Sequence, residues 1–210
     1  MELQTINSAP PGSEITNKAR QDLTGQWKTA ALATFVFFIV MGSAGIIPFI
    51  GSLIIGGPMT LGLAYFALKI ARGKKGEVGD IFKGFDNFAG SLVAYLLYVL
   101  AVIVGFLLFV IPSIIVGLGL SQTFFILADR PETKAVDALH QSWDMMKGHK
   151  GDLFVLGLRF FGWSILCIFT LFIGYIWLLP YMQVSFANFY DSINPWREAE
   201  SDLADHLIEL

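Results

Sequence analysis

Charge is what this chain lacks over most of its length. Only 15% of its 210 residues are Asp, Glu, Lys or Arg, against about 25% in a soluble domain. Three long stretches carry none at all: Thr29–Leu68, of 40 residues, Asn87–Ala128, of 42, and Phe160–Tyr190, of 31. Counted from Leu153, the third reaches 38 with Arg159 as its single interruption. A water-facing helix needs a polar face, and these stretches do not have one. Cysteine is nearly absent too. Cys167 stands alone in an apolar run, which excludes an internal disulfide framework and a cysteine-based metal cluster. Neither an HExxH motif nor a Walker lysine–serine signature occurs, so the commonest zinc-hydrolase and nucleotide-binding patterns are missing. The opening residues show no apolar core followed by a small-residue cleavage site, so the first hairpin is expected to be its own insertion signal.

What is present is apolar length. A 40-residue helix rises roughly 60 Å, about twice the ~30 Å hydrocarbon core of a bilayer. Each stretch therefore reads as two spans and a turn. Turn chemistry supports the midpoints: Pro48 and Gly51 in the first, Leu107–Leu108 followed by Pro112-Ser113 in the second, Leu171–Phe172 beside Gly174 in the third. The expected spans are 29–47, 54–72, 90–110, 113–129, 153–172 and 175–191. The fold class is all-α, an integral membrane bundle of about six helices in three hairpins. A segment 1–28 precedes the bundle 29–191, and an acidic helix 192–210 follows it.

The charge map also sets an orientation. Lys18, Arg20 and Lys28 precede span one, and Lys69, Arg72, Lys74, Lys75 and Lys83 lie between spans two and three. Arg130, Lys134, Lys147 and Lys150 lie between spans four and five, Arg197 follows span six, and the opposite turns hold no Lys or Arg. The positive-inside rule then places both termini in the cytoplasm of a cell with an inner membrane.

Each charged window carries a helical apolar stripe: Ile15, Ala19, Leu23 and Trp27; then Val78, Ile81/Phe82, Phe85 and Phe88; then Ala135, Leu139, Trp143 and Met146, just after Pro131. Such stripes ending in aromatics suit helices lying in the headgroup plane, with Trp27, Phe85 and Trp143 as interfacial anchors. The tail repeats the pattern with Trp196, Ala199, Leu203 and Leu207. Gly79-Asp80-Ile81-Phe82 and Gly151-Asp152-Leu153-Phe154 are alike, consistent with a threefold unit of surface helix plus hairpin.

Candidate chemistry is sparse. The Arg72, Lys74, Lys75 cluster, interleaved with Gly73 and Gly76, is expected to attract anionic lipid, with Lys150 as a further contact. Arg159 lies about two turns into span five; it either snorkels to the headgroups or holds an anion with its planar fork. His140, Asp144, His149 and Asp152 have spacing open to a metal or an acid–base pair, but a solvated helix face explains them more simply. Gln122, Gln183 and Asn188 are amides within spans that serve helix packing or, less simply, line a solute path.

The run Ala138, Ser142, Met146, Gly148-His149-Lys150, Phe154, Gly162-Trp163, Gly174, Trp177-Leu178, Pro180-Tyr181 and Phe189-Tyr190, with Gly84-Phe85, Ile111-Pro112 and Asp129 before it, resembles the multi-pass bacterial membrane family catalogued as domain of unknown function 975. The departure is at Ser113 and Leu118-Gly119-Leu120, where that family usually has a glycine and later an Arg-Tyr pair. The resemblance implies a six-helix integral membrane protein without an assigned activity. Two functions follow as expectations. One is a non-enzymatic scaffold or accessory protein that binds membrane lipids, with a protein partner or a second copy of itself, and with no cofactor and no nucleic acid. The other is a small oligomeric transporter or channel for an uncharged or amphiphilic solute.

The orientation is tested by impermeant maleimide labelling in intact cells. Ser8→Cys, Lys75→Cys and Asp137→Cys should be protected, and Gly174→Cys should react. Labelling of Lys75→Cys from outside would contradict the hairpin arrangement.

Overall fold

The computed structural model describes residues 9–44, 50–170 and 173–196, and every regular element among them is helical. The Pro48 and Leu171–Phe172 turns, Arg197 and most of the acidic tail stripe lie outside the described residues. In chain order come α1 (Gly12–Asp22), α2 (Trp27–Ala44), α3 (Ile50–Ala71), a 3₁₀ segment (Val78–Phe85), α4 (Phe88–Leu108), α5 (Val110–Gly119), α6 (Thr123–Asp129), α7 (Ala135–Met145), α8 (Lys150–Phe169) and α9 (Tyr175–Ile193). Gly51–Ala71, Phe88–Leu108, Val110–Asp129 and Lys150–Phe169 are each long and apolar enough to cross a membrane. A fifth span arises if α1 and α2, bent by 99°, are taken together. The long helices fall close to the expected spans in position, with two differences. Among the described residues α9 and α2 alone, the expected sixth and first spans, are not among the helices long and apolar enough to cross. The fourth is broken between α5 and α6, at Leu120–Gln122.

α3 is the centre of the bundle. It packs against the 3₁₀ segment, α4, α6 and α9, and its Met59, Phe66, Ala67 and Ile70 are buried. α4 and α8 are peripheral, with exposed rows such as Leu96, Leu100 and Ile103 on the one and Val155, Leu158 and Phe161 on the other. That is the pattern expected of helices whose outer neighbour is lipid, where apolar exposure carries no cost.

Small residues let backbones meet directly. A Cβ on Gly62 would lie 1.7 Å from the Ile81 carbonyl oxygen, and one on Gly84 1.9 Å from that of Pro58. The 3₁₀ segment is thus pressed against α3 main chain to main chain, with Ile81 fully buried. Close approach at small residues is the usual source of helix adhesion where both the interface and the surroundings are apolar.

Two units of the chain share one register. α1 and α7 each span 11 residues. Each is followed by a turn with a positive-φ glycine, Gly25 at φ 82° and Gly148 at φ 89°. The turn bonds Leu23 N–H to Ala19 O, Thr24 N–H to Gln21 O and Gln26 N–H to Leu23 O recur at Met146–Ser142, Lys147–Asp144 and His149–Met146. The long helices then begin at Trp27 and Lys150. Gly25 and Gly148 stand 123 positions apart, as do these starts. The middle unit replaces the short α-helix by the 3₁₀ segment.

The stripes of α1 and α7 face the protein. Ile15, Ala19 and Leu23 are buried against α8 and α9. Of the α7 stripe Ala135 and Met146 are buried while Leu139 and Trp143 are half-buried, and the fully dry side of the helix runs through Ala138 and Ser142. An apolar stripe identifies a helix with one dry side, and here that side is covered by other helices rather than by headgroups.

Gly62→Ala should therefore lower the thermal stability of the purified protein in detergent by about 2–3 kcal/mol, as overpacking does. Gly42→Ala, where a Cβ meets nothing within 4 Å, should be neutral or slightly stabilising. Equal melting temperatures for the two variants would contradict the main-chain packing of α3 on the 3₁₀ segment.

Candidate functional site at the charged end of the bundle

The ends of α3, α6 and α9 meet at one arginine. Arg72, just past α3, donates from Nη1 to Asp129 Oδ1 (2.5 Å) and from Nη2 to Asp191 Oδ1 (2.9 Å), with Nε 3.3 Å from both Asp191 oxygens. Tyr190 Oη (3.1 Å) and Asn194 Nδ2 (3.3 Å) donate to the other Asp129 oxygen. The Asp191 side chain is only 3% exposed and that of Asp129 18%. Burial opposes the charge on Arg72, but its hydrogen bonds to the two carboxylates outweigh that and hold its pKa above the ordinary arginine value. A planar fork is what two carboxylates on different helices require, since it presents its donors along fixed directions.

A second tie fixes the connection between α3 and α4. Asp80 is buried and accepts from Lys69 Nζ (2.7 Å), Lys83 Nζ (3.1 Å) and Glu77 N–H (2.8 Å). Burial alone would raise the Asp80 pKa, but these donors bring it below the usual carboxylate range. A third tie joins α1 to α9: Lys18 Nζ donates to Asn188 Oδ1 (2.5 Å), and Asn188 Nδ2 donates to Asp22 Oδ2 (2.8 Å). Asn188 thus joins α1 to α9.

The turn holding Lys74 and Lys75 is ordered by short bonds. Gly73 takes φ 71°, and Lys74 N–H reaches back to Lys69 O (3.0 Å), closing α3 with a left-handed glycine cap. Gln26 grips the turn with both ends of its amide, Nε2 to Lys74 O (3.3 Å) and Oε1 from Gly76 N–H (2.8 Å). Both lysine side chains are exposed. Arg72 and its neighbours, grouped by the sequence as one lipid-attracting cluster, are therefore divided. Arg72 is committed to carboxylates, and Lys74 and Lys75 project outward.

The other expected residues have definite places. Lys150 Nζ sits 3.6 Å from the centre of the Trp143 ring, and that ring covers Gly119 closely. Arg159 is exposed and donates from Nη1 to Thr16 Oγ1 (3.0 Å), linking α8 to α1. Trp27 is half-buried beside Tyr181, while Phe85 is exposed in a row with Phe82 and Phe88. Asp144 pairs with Lys147 (2.7 Å) at the surface, and His149 Nδ1 lies 3.5 Å from Asp152. Among the described residues no group of three or more His, Cys, Asp or Glu side chains is placed to hold a metal ion. Sequence reasoning did not name Asp129 or Asp191 as partners of Arg72. The available signal was position, for each is the first charge after an uncharged stretch.

Arg72→Met would leave Asp129 and Asp191 without their cation and should lower stability in detergent by about 3 kcal/mol, the scale for one partner removed from a buried pair. Arg72→Lys, which cannot span both carboxylates, should lower it by about 1–2 kcal/mol. Thermal unfolding of the two variants checks both; wild-type melting for Arg72→Met would remove the tie from the account.

Comparison with curated proteins and with solved structures gives no match. The family described as protein of unknown function (DUF975) matches over residues 10–109 and 96–196, nearly the whole chain. The protein belongs to that family, whose activity has not been assigned.

Proposed function

We propose that the protein is a non-enzymatic, multi-pass protein of the bacterial inner membrane, with both termini cytoplasmic, that acts as a scaffold or accessory protein. Its charged end docks on anionic lipid headgroups and holds the surface in shape for a partner or a second copy. The observation that carries this reading is the rigid, outward display of Lys74 and Lys75 on the Gln26-clamped turn. The same connection carries the exposed Phe82, Phe85 and Phe88, whose rings lie 6.4 Å apart in succession. Cations beside aromatics suit the headgroup layer, where each basic residue contributes about 1 kcal/mol of attraction to anionic lipid. A transporter for an uncharged or amphiphilic solute is the second reading. It is favoured by the break at Leu120–Gln122, since interrupted spans are where transporters commonly hold substrates.

Native mass spectrometry of protein released from nanodiscs of equal phosphatidylglycerol and phosphatidylcholine tests the first reading. Retained lipid should be enriched in phosphatidylglycerol, and Lys74→Gln with Lys75→Gln should reduce that enrichment severalfold. No preference in the wild type would contradict docking, and saturable uptake of glycerol by proteoliposomes would favour the transporter.

A further inference from the structure

At the broken fourth span one buried polar atom has no hydrogen-bond partner among the described residues. At the break, Gln122 N–H donates to Ser142 Oγ (3.1 Å), which in turn donates to Gly119 O (2.9 Å). The buried Ser142 of α7 thus plugs the gap, which is how irregular backbone is tolerated at membrane depth. Ser121 Oγ donates its single proton to Leu118 O (2.7 Å). It can therefore only accept from the neighbouring amide, whose Nε2 lies 3.0 Å away. That fixes the orientation of Gln122: Nε2 faces Ser121, and Oε1, in a side chain 1% exposed, has no partner among the described residues. A buried oxygen of this kind is expensive to leave unmet.

Gln122 lines a crevice of about 330 Å³ between the α5–α6 break and α8, a volume within the range of ligand sites. Leu118 and Phe125 form one wall, and Leu153, Gly157 and Leu158 the other. Ser121 and Gln122 are its only polar lining residues, and Leu158, on the rim, is exposed among the lipid-facing residues of α8. Water is a poor occupant, because an ordered water needs two to four polar partners. Oε1 itself has almost no accessible surface, so it meets the slot only on a turn of the amide; an apolar slot beside one unmet acceptor suits a chain that carries one donor.

We propose that this crevice binds the hydrocarbon chain of a membrane amphiphile whose head end bears an O–H or N–H group, and that Gln122 Oε1 accepts a hydrogen bond from that group. The proposal stands apart from headgroup docking at Lys74 and Lys75, and either can fail alone.

The test uses the full chain in nanodiscs and a photoactivatable probe, a diazirine-bearing sixteen-carbon primary alcohol, compared with its methyl ether. The alcohol should label the peptides around Leu118–Phe125 and Leu153–Leu158 about fivefold more than the ether, the weight of one neutral hydrogen bond. Gln122→Leu should bring alcohol labelling down to the ether level. Gly157→Leu, whose new side chain enters open space, should block labelling by both probes while thermal unfolding stays as in the wild type. Equal labelling by alcohol and ether, or alcohol labelling unchanged in either variant, would overturn the proposal.

Discussion

Everything at the charged end of this bundle depends on one guanidinium with two carboxylates. Arg72 is 57 residues from Asp129 and 119 from Asp191, yet the three hold the ends of α3, α6 and α9 against one another. In an apolar environment the hydrophobic effect cannot choose between a neighbouring helix and a lipid chain, since both are equally dry. Directional bonds at the helix ends can choose. A fork that reaches two carboxylates at once specifies which ends meet and at what angle, and a single ammonium would leave one carboxylate unmet.

The remaining specificity comes from backbone proximity. Gly62 and Gly84 bring α3 and the 3₁₀ segment together at distances no side chain permits. Asp80 then locks the arrangement through Lys69 and Lys83. The repeated register, with α1 and α7 ending in the same glycine turn, puts equivalent short helices immediately before α2 and α8. In the third unit the short helix has an added task, because Ser142 satisfies the open backbone of the break at Gly119–Gln122.

Much of this architecture was legible in the sequence, because a charge-free run of about 40 residues leaves few physical options. α2, α3, α4, α8 and α9 begin and end within a few residues of positions set by charge, proline and glycine. Three things were hidden. The break after Gly119 has no hydropathy signature, since Leu120 continues an apolar run and Gln122 is one amide among several. The stripes of α1 and α7 show that each helix has a dry side but not whether protein or headgroups cover it. The partners of Arg72 were unreadable as well: a basic residue beside a span looks the same whether it meets a phosphate or a distant aspartate. Lys74 and Lys75, two and three positions on, do face outward as their sequence context suggests.

The central claim, that Arg72 binds the ends of α3, α6 and α9 together, is tested most directly by a double-mutant cycle between Arg72 and Asp191. Thermal unfolding in detergent of Arg72→Met, Asp191→Asn and the double variant gives the coupling between the two sites. A coupling on the order of 2 kcal/mol, with the double variant more stable than the sum of the single losses implies, is the result expected for an interacting pair. Strictly additive losses would mean that the two side chains stabilise the bundle independently, and would contradict the account.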